Sequence, residues 1–111
     1  MIVSIPLSAY NKHYIIFLPA VKNNMIEKGL FVRILYSTAN VTFNGIFIKL
    51  KNEGIPNFGK VEKDVLHAYH TSKTPVYSIE KHLYRNTKTT LKISGIWENE
   101  TSYGLAYKTM D

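Results

Sequence analysis

Four histidines, His13, His67, His70 and His82, are the side chains of this 111-residue sequence best fitted to proton transfer or metal binding. Imidazole changes charge near neutral pH and offers a ring nitrogen to a cation. The spacing His67-Ala68-Tyr69-His70 sets two imidazoles on one face of a helix, with His82 or Asp64 as a third donor. Zinc pairs on helices more often stand four residues apart, and structural zinc without cysteine is uncommon. The expectation is therefore solvated histidines and no metal. His13, His67 and a lysine could instead cut RNA, one imidazole accepting a proton and the other donating one. The two histidines come from distant segments, however, and nothing in the sequence fixes their separation.

Other chemistries are excluded more sharply. With Cys at 0 there is no disulfide framework, thiolate zinc site, iron–sulfur cluster or cysteine nucleophile. No P-loop, G-x-G-x-x-G, G-x-S-x-G or H-E-x-x-H occurs. Glu62 and Asp64, the close acidic pair outside turns, read as first-turn helix charges and not as a metal-dependent nuclease centre. We expect no enzyme, no catalytic residue and no cofactor.

Binding remains, and composition favours it. The chain holds 14 Lys+Arg against 8 Asp+Glu, a formal charge of +6, together with 8 Tyr, 5 Phe and 1 Trp. Residues 1–59 carry six cations against two acids, residues 60–92 seven against three, and residues 93–111 one against three. The positive charge thus belongs to the body of the domain, and an anion site should be a folded surface. Exposed rings stack on bases of any sequence while lysines neutralise phosphates. Twelve Lys against two Arg suits backbone attraction better than bidentate base reading. Single-stranded DNA or RNA is the expected partner. The candidates are Lys12, Tyr14, Arg33, Tyr36, Phe47, Lys49, Lys51, Lys92, Tyr107 and Lys108, which cannot all share one face.

These residues must be positioned by strands. Tyr14 to Phe17 reads as a strand within Lys12–Leu18, ended by Pro19, and Val21–Gly29 as a turn or one helical turn. Leu30, Val32, Ile34 and Tyr36 alternate with Phe31, Arg33, Leu35 and Ser37. The apolar phase set by Val41 and Phe43 flips after Gly45 to Ile46, Ile48 and Leu50, which predicts a bulge or sharp coil at Asn44-Gly45. Phe47, Lys49 and Lys51 then share the opposite face, either as a covered ring beside solvated lysines or as a stacking platform. Asn52–Lys60 reads as the main loop, Val61–His70 as a short helix, and a second helix should start at Thr74-Pro75 or Ser78. A helix there would align Tyr77, Lys81, Tyr84 and Arg85 in a basic, aromatic stripe. Leu91–Trp97 and Tyr103–Lys108 form a hairpin about Glu98-Asn99-Glu100-Thr101, whose acids cap the turn. Gly95 and Gly104 leave room for a neighbouring ring, Trp97 among them.

The runs Leu91-Lys92-Ile93-Ser94-Gly95-Ile96-Trp97 and Tyr103-Gly104-Leu105-Ala106-Tyr107-Lys108 resemble the closing hairpin of small single-stranded-DNA-binding proteins of large DNA viruses. The resemblance covers about 18 of the 111 residues. It implies an open or closed small barrel of the oligonucleotide-binding type and a place in viral DNA replication; the lack of an acidic tail beyond Asp111 departs from many such proteins.

The expectation is a single domain over residues 1–111, mainly β, a small barrel or strongly coiled antiparallel sheet with one or two short helices inserted between residues 61 and 85. The alternative is a small viral or mobile-element assembly protein whose basic face docks an acidic protein. A homodimer is expected from the generous apolar strand faces. Asn11, Lys12 and His13 divide the early apolar runs, and Tyr14–Val21 is too short to span a bilayer. The expected compartment is cytoplasm or nucleus, including that of an infected cell, without secretion, and Asn40-Val41-Thr42 and Asn99-Glu100-Thr101 read as turns.

Overall fold

Strands with one aliphatic face need a second layer to cover it, and helices from the middle of the chain supply that layer. The computed structural model describes residues 4–25 and 29–111. In chain order the elements are β1 (Ile15–Phe17), β2 (Val21–Asn23), β3 (Gly29–Ser37), β4 (Thr42–Phe43), β5 (Ile46–Lys49), α1 (Ile55–Ala68), β6 (Thr74–Val76), α2 (Ile79–Leu83), β7 (Thr90–Glu98) and β8 (Ser102–Met110). Two 3-10 turns, Leu7–Ala9 and Lys12–Tyr14, precede them. The fold is mainly β, with eight strands and two helices among the described residues. Among the described residues no helix is long and apolar enough to cross a membrane.

The sheet runs β1-β3-β7-β8-β6, with β2 and β4 also paired to β3 and β5 to β7. No pairing among the described residues joins its two ends, so it is an open sheet and not a closed barrel. One pair, β6 with β8, is parallel; the rest are antiparallel.

A fork shapes the middle of the sheet. β3 and β7 pair from Leu30↔Glu98 to Arg33↔Gly95 and then part; β4 continues beside β3 and β5 beside β7. Both sides of the fork carry the device that a strand needs to change partner. On β7 the register with β8 shifts between Ile93 and Gly95, so an extra residue bends the strand. Between β4 and β5, Gly45 takes φ 116°, a value L side chains rarely adopt. The expected break at Asn44-Gly45 is thus present, and Ile46 and Ile48 lie fully buried beyond it.

The hairpin expected at the C-terminus is the longest strand pair. Asn99 closes it, its Oδ1 accepting from the amides of Thr101 at 3.0 Å and Ser102 at 2.7 Å, an Asx turn. Glu98 does not cap this turn. It is 4% exposed, it accepts from the Tyr69 hydroxyl, and it pairs with Lys73 at 3.1 Å. Burial, and then the Glu98 carboxylate, hold the Tyr69 phenol up at about 12.

Helix α1 starts six residues earlier than Val61. Pro56 and Gly59 read as loop formers, yet proline in a first turn begins a helix because its missing N–H would be unpaired there anyway. Phe58, Val61, Val65 and Leu66 then fall on one face and bury. Thr74-Pro75 opens no helix; it lies in β6, and α2 is only Ile79–Leu83. Tyr77 precedes that helix and Tyr84 and Arg85 follow it, so the expected stripe is not a helical face. Glu62 is no solvated first-turn charge either. It is 2% exposed in mid-α1, and its carboxylate accepts the amides of Ser78 at 2.9 Å and Ile79 at 3.2 Å. One helix caps the other.

Lys12–Leu18 forms a 3-10 turn and only three strand residues, and Val21–Asn23 pairs with β3 where a turn was expected; residues 26–28 of that segment lie outside the described residues. The core joins sheet and helices: Val32, Ile34, Ile46, Ile48, Leu91, Ile93 and Ile96 face Phe58, Val61, Val65, Leu66, Ile79 and Leu83. Each such burial contributes roughly 1.5–3 kcal/mol.

Candidate nucleic-acid interface

Because side chains alternate along a strand and directly paired residues share a face, the buried set above assigns the opposite face. Phe31, Arg33 and Leu35 of β3 lie between the buried Val32, Ile34 and Tyr36. Across the register Phe31 meets Trp97 and Arg33 meets Gly95. Trp97 in turn meets Gly104, and Gly104 meets Val76. A Cβ on Gly104 would stand 2.8 Å from the Trp97 ring, so the glycine is the seat on which the indole lies, as the hairpin pattern suggested. Val21 opposes Phe31 on the other side. The result is an apolar row from Val21 through Phe31 and Trp97 to Val76, open at both ends, where Val21 is 57% and Val76 40% exposed.

Beside that row the face is basic. Phe47 opposes Lys92, and Lys92 opposes Lys108. The Lys92 ammonium stands over the Phe47 ring, 5.3 Å from its centroid, a cation–π contact. Lys49 follows on the same face of β5, opposite Thr90. Among the described strand residues of this face every charged side chain is a cation: Arg33, Lys49, Lys92 and Lys108. The ion pairs of the described residues, Lys73–Glu98 and Lys88–Asp111, use none of them. Fields of like charge on one sheet face add, and they attract a polyanion within a Debye length of about 8 Å.

Five of the ten expected residues therefore meet: Arg33, Phe47, Lys49, Lys92 and Lys108. The others do not join them. Lys51 lies in the turn after β5, at a cavity of about 280 Å³ shared with Leu50, Ile55, Phe58 and Lys88. Lys12 and Tyr14 sit on the second 3-10 turn, where the Tyr14 ring meets Tyr36 edge-on at 5.7 Å. Tyr36 is 2% exposed and cannot stack on a base. Its hydroxyl accepts from the Asn11 amide at 2.9 Å and donates to the Ala9 carbonyl at 3.3 Å, and burial pushes its phenol up. Tyr107 faces the helices; its hydroxyl is 2.8 Å from the Ser78 hydroxyl and its ring packs against His82. Lys12, Tyr14 and Lys51 failed because they lie on turns and not in strands, and Tyr36 and Tyr107 because they fall on the buried side of their strands' alternation.

Trp97 and Phe31 were missed as members of the face. One signal was in the sequence, a glycine across the hairpin marking where a ring lies; the side on which Trp97 falls is set by the extra residue near Ser94, which turns it opposite Ile93 and shows only in the register. No family model, curated protein or solved structure matches this chain.

Proposed function

We propose that the open sheet face binds single-stranded nucleic acid without cleaving it. The observation that carries this reading is the gathering of four cations and three rings, Phe31, Phe47 and Trp97, on a face with no acid among its described strand residues. Rings on a strand surface take unpaired bases, each stack contributing about 1–3 kcal/mol, while the cations release counterions from the phosphates. A duplex offers no unstacked base to such a face. The resemblance of the β7–β8 hairpin to viral single-stranded-DNA-binding proteins points the same way, and an open sheet can serve where a closed oligonucleotide-binding barrel is usual.

Trp97 is the one tryptophan, so its fluorescence reports on the face itself. Titration with an oligothymidylate should quench it, and anisotropy of the labelled oligonucleotide should fall with salt. Lys92→Ala should lower the slope of log K against log salt by about 0.7. An unquenched indole, or a slope that Lys92→Ala leaves unchanged, would refute the reading.

The apolar row supports a second reading, a basic docking face for an acidic protein or a second copy of this chain. Size-exclusion mass with and without oligonucleotide separates the two: a dimer that oligonucleotide does not dissociate favours the docking reading.

A further inference from the structure

The histidines and lysine that the sequence left apart meet at one cavity. A pocket of about 300 Å³ between the second 3-10 turn and α1 is lined by Lys12, His13, Asp64, His67 and Ala68. We infer that this pocket cleaves a phosphodiester of single-stranded RNA by acid–base transfer between His13 and His67, with Lys12 on the phosphate. The sheet face carries no acid–base pair, so this activity is separate from binding there.

Both imidazoles stand on fixed supports. His13 is held through its backbone: its amide donates to Asn11 Oδ1 at 2.9 Å, and the Asn11 amide donates to the hydroxyl of buried Tyr36 at 2.9 Å. His67 lies in the last turn of α1, next to buried Val65 and Leu66. Lys12, His13 and His67 are all exposed and reach solvent from the pocket wall. Asp64 stands three residues before His67, on the same helical face, where a carboxylate steadies an imidazolium as it forms. Among the described residues no three His, Asp or Glu side chains lie close enough to hold a metal ion. The cavity of about 300 Å³ leaves room between these side chains for a phosphate and its ribose. Tyr14, 39% exposed beside His13, offers a ring to the adjoining base.

The chemistry balances without a co-reactant. One neutral imidazole takes the proton of the ribose 2′-hydroxyl as its oxygen attacks phosphorus. The bond from phosphorus to the 5′-oxygen breaks, and the other imidazole, protonated, gives its proton to that leaving oxygen. The products are a 2′,3′-cyclic phosphate and a free 5′-hydroxyl. Lys12 offsets the charge that gathers on the non-bridging oxygens.

The test uses the full chain in EDTA with a fluorophore–quencher RNA and its all-deoxy counterpart. The RNA should be cut to cyclic-phosphate ends by mass, the DNA left intact, and the rate should be bell-shaped in pH, the mark of one base and one acid. His13→Ala and His67→Ala should each lower the rate by at least about 100-fold, with His67→Gln as a second variant and thermal melts confirming that each folds. His82→Ala, at a residue that lines a different cavity with Arg85 and Lys88, should keep the rate. Intact RNA, cleavage of the deoxy strand, or a His13→Ala/His67→Ala double variant as active as the parent would overturn the inference.

Discussion

The two faces of one sheet are built from the same strands and carry opposite contents. On the helix side of β3, Val32 and Ile34 are 1% and 0% exposed, and they belong to the same core as Phe58, Val65 and Leu66 of α1. One residue further along the same strand, Arg33 is exposed and Phe31 and Leu35 are half-buried. A sheet solvated on one face ordinarily shows small polar residues there. This face keeps Phe31, Phe47, Trp97, Val21, Ile16 and Val76 and adds cations between them. Large apolar groups left outside the core, rimmed by charge of one sign, are the composition of a surface that meets something.

The sharpest way to break this contrast is to remove one side chain from each face. Ile34→Ala empties a site with no exposed surface and should lower unfolding free energy by about 2–5 kcal/mol, read by urea denaturation. Its folded fraction should bind oligonucleotide as the parent does. Phe47→Ala should do the reverse, changing stability far less while weakening binding by roughly 1–3 kcal/mol, the worth of one stacked base. Equal stability losses from both would mean that the outer ring is simply covered core.

Gly95 tests the fork that sets the two faces. A Cβ there would stand 2.2 Å from the Val32 carbonyl oxygen and 2.8 Å from Cζ of Phe31. The first contact is backbone and cannot swing away, so Gly95→Ala should cost about 1–3 kcal/mol through overpacking. Displacement of the Phe31 ring should also weaken oligonucleotide binding, the one case in which a single change harms both faces. A Gly95→Ala variant with parental stability would show that β3 and β7 can separate without loss.

Much of this arrangement was legible in the residues. The alternation Leu30-Val32-Ile34-Tyr36 gave the buried face of β3, and the phase flip at Gly45 gave the irregularity between β4 and β5, because period and glycine are local signals. Faces across strands were not legible. Tyr36 and Tyr107 were taken for surface rings because tyrosine has both a wet and an apolar end, and only tertiary packing decides which end is buried. The start of α1 was hidden because Pro56 has the same local meaning in a loop and in a first turn, and because Gly59 is required by the approach of Glu80 from α2 and not by a turn. His13 and His67 illustrate the same limit: one sits on a 3-10 turn and the other on a helix, and their shared cavity exists only through the packing of those two elements.

Glu62 lies where the helical layer is stitched to itself, and its titration is the smallest expected effect. Burial raises its carboxyl above the ordinary 4.5, the amides of Ser78 and Ile79 pull it back down, and Glu80 and Lys63 add opposing smaller influences. Below about pH 4.5 the group is protonated in folded and unfolded chains alike. As pH climbs through the raised folded value, the unfolded carboxyl ionises freely while the folded one ionises against its surroundings. Stability that was present in acid is then lost. Glu62→Gln keeps an acceptor for one amide and does not titrate, so thermal melts from about pH 4 to about pH 8 should show the parent losing ground to the variant as pH rises. The amides offset much of the burial cost, which keeps the effect below those of Ile34→Ala and Gly95→Ala. A difference that grows in the opposite direction would mean that the two amides outweigh burial. The ionised carboxylate would then be an anchor of α2, and the helical layer would owe its position to a charge where the sheet beneath it relies on aliphatic packing.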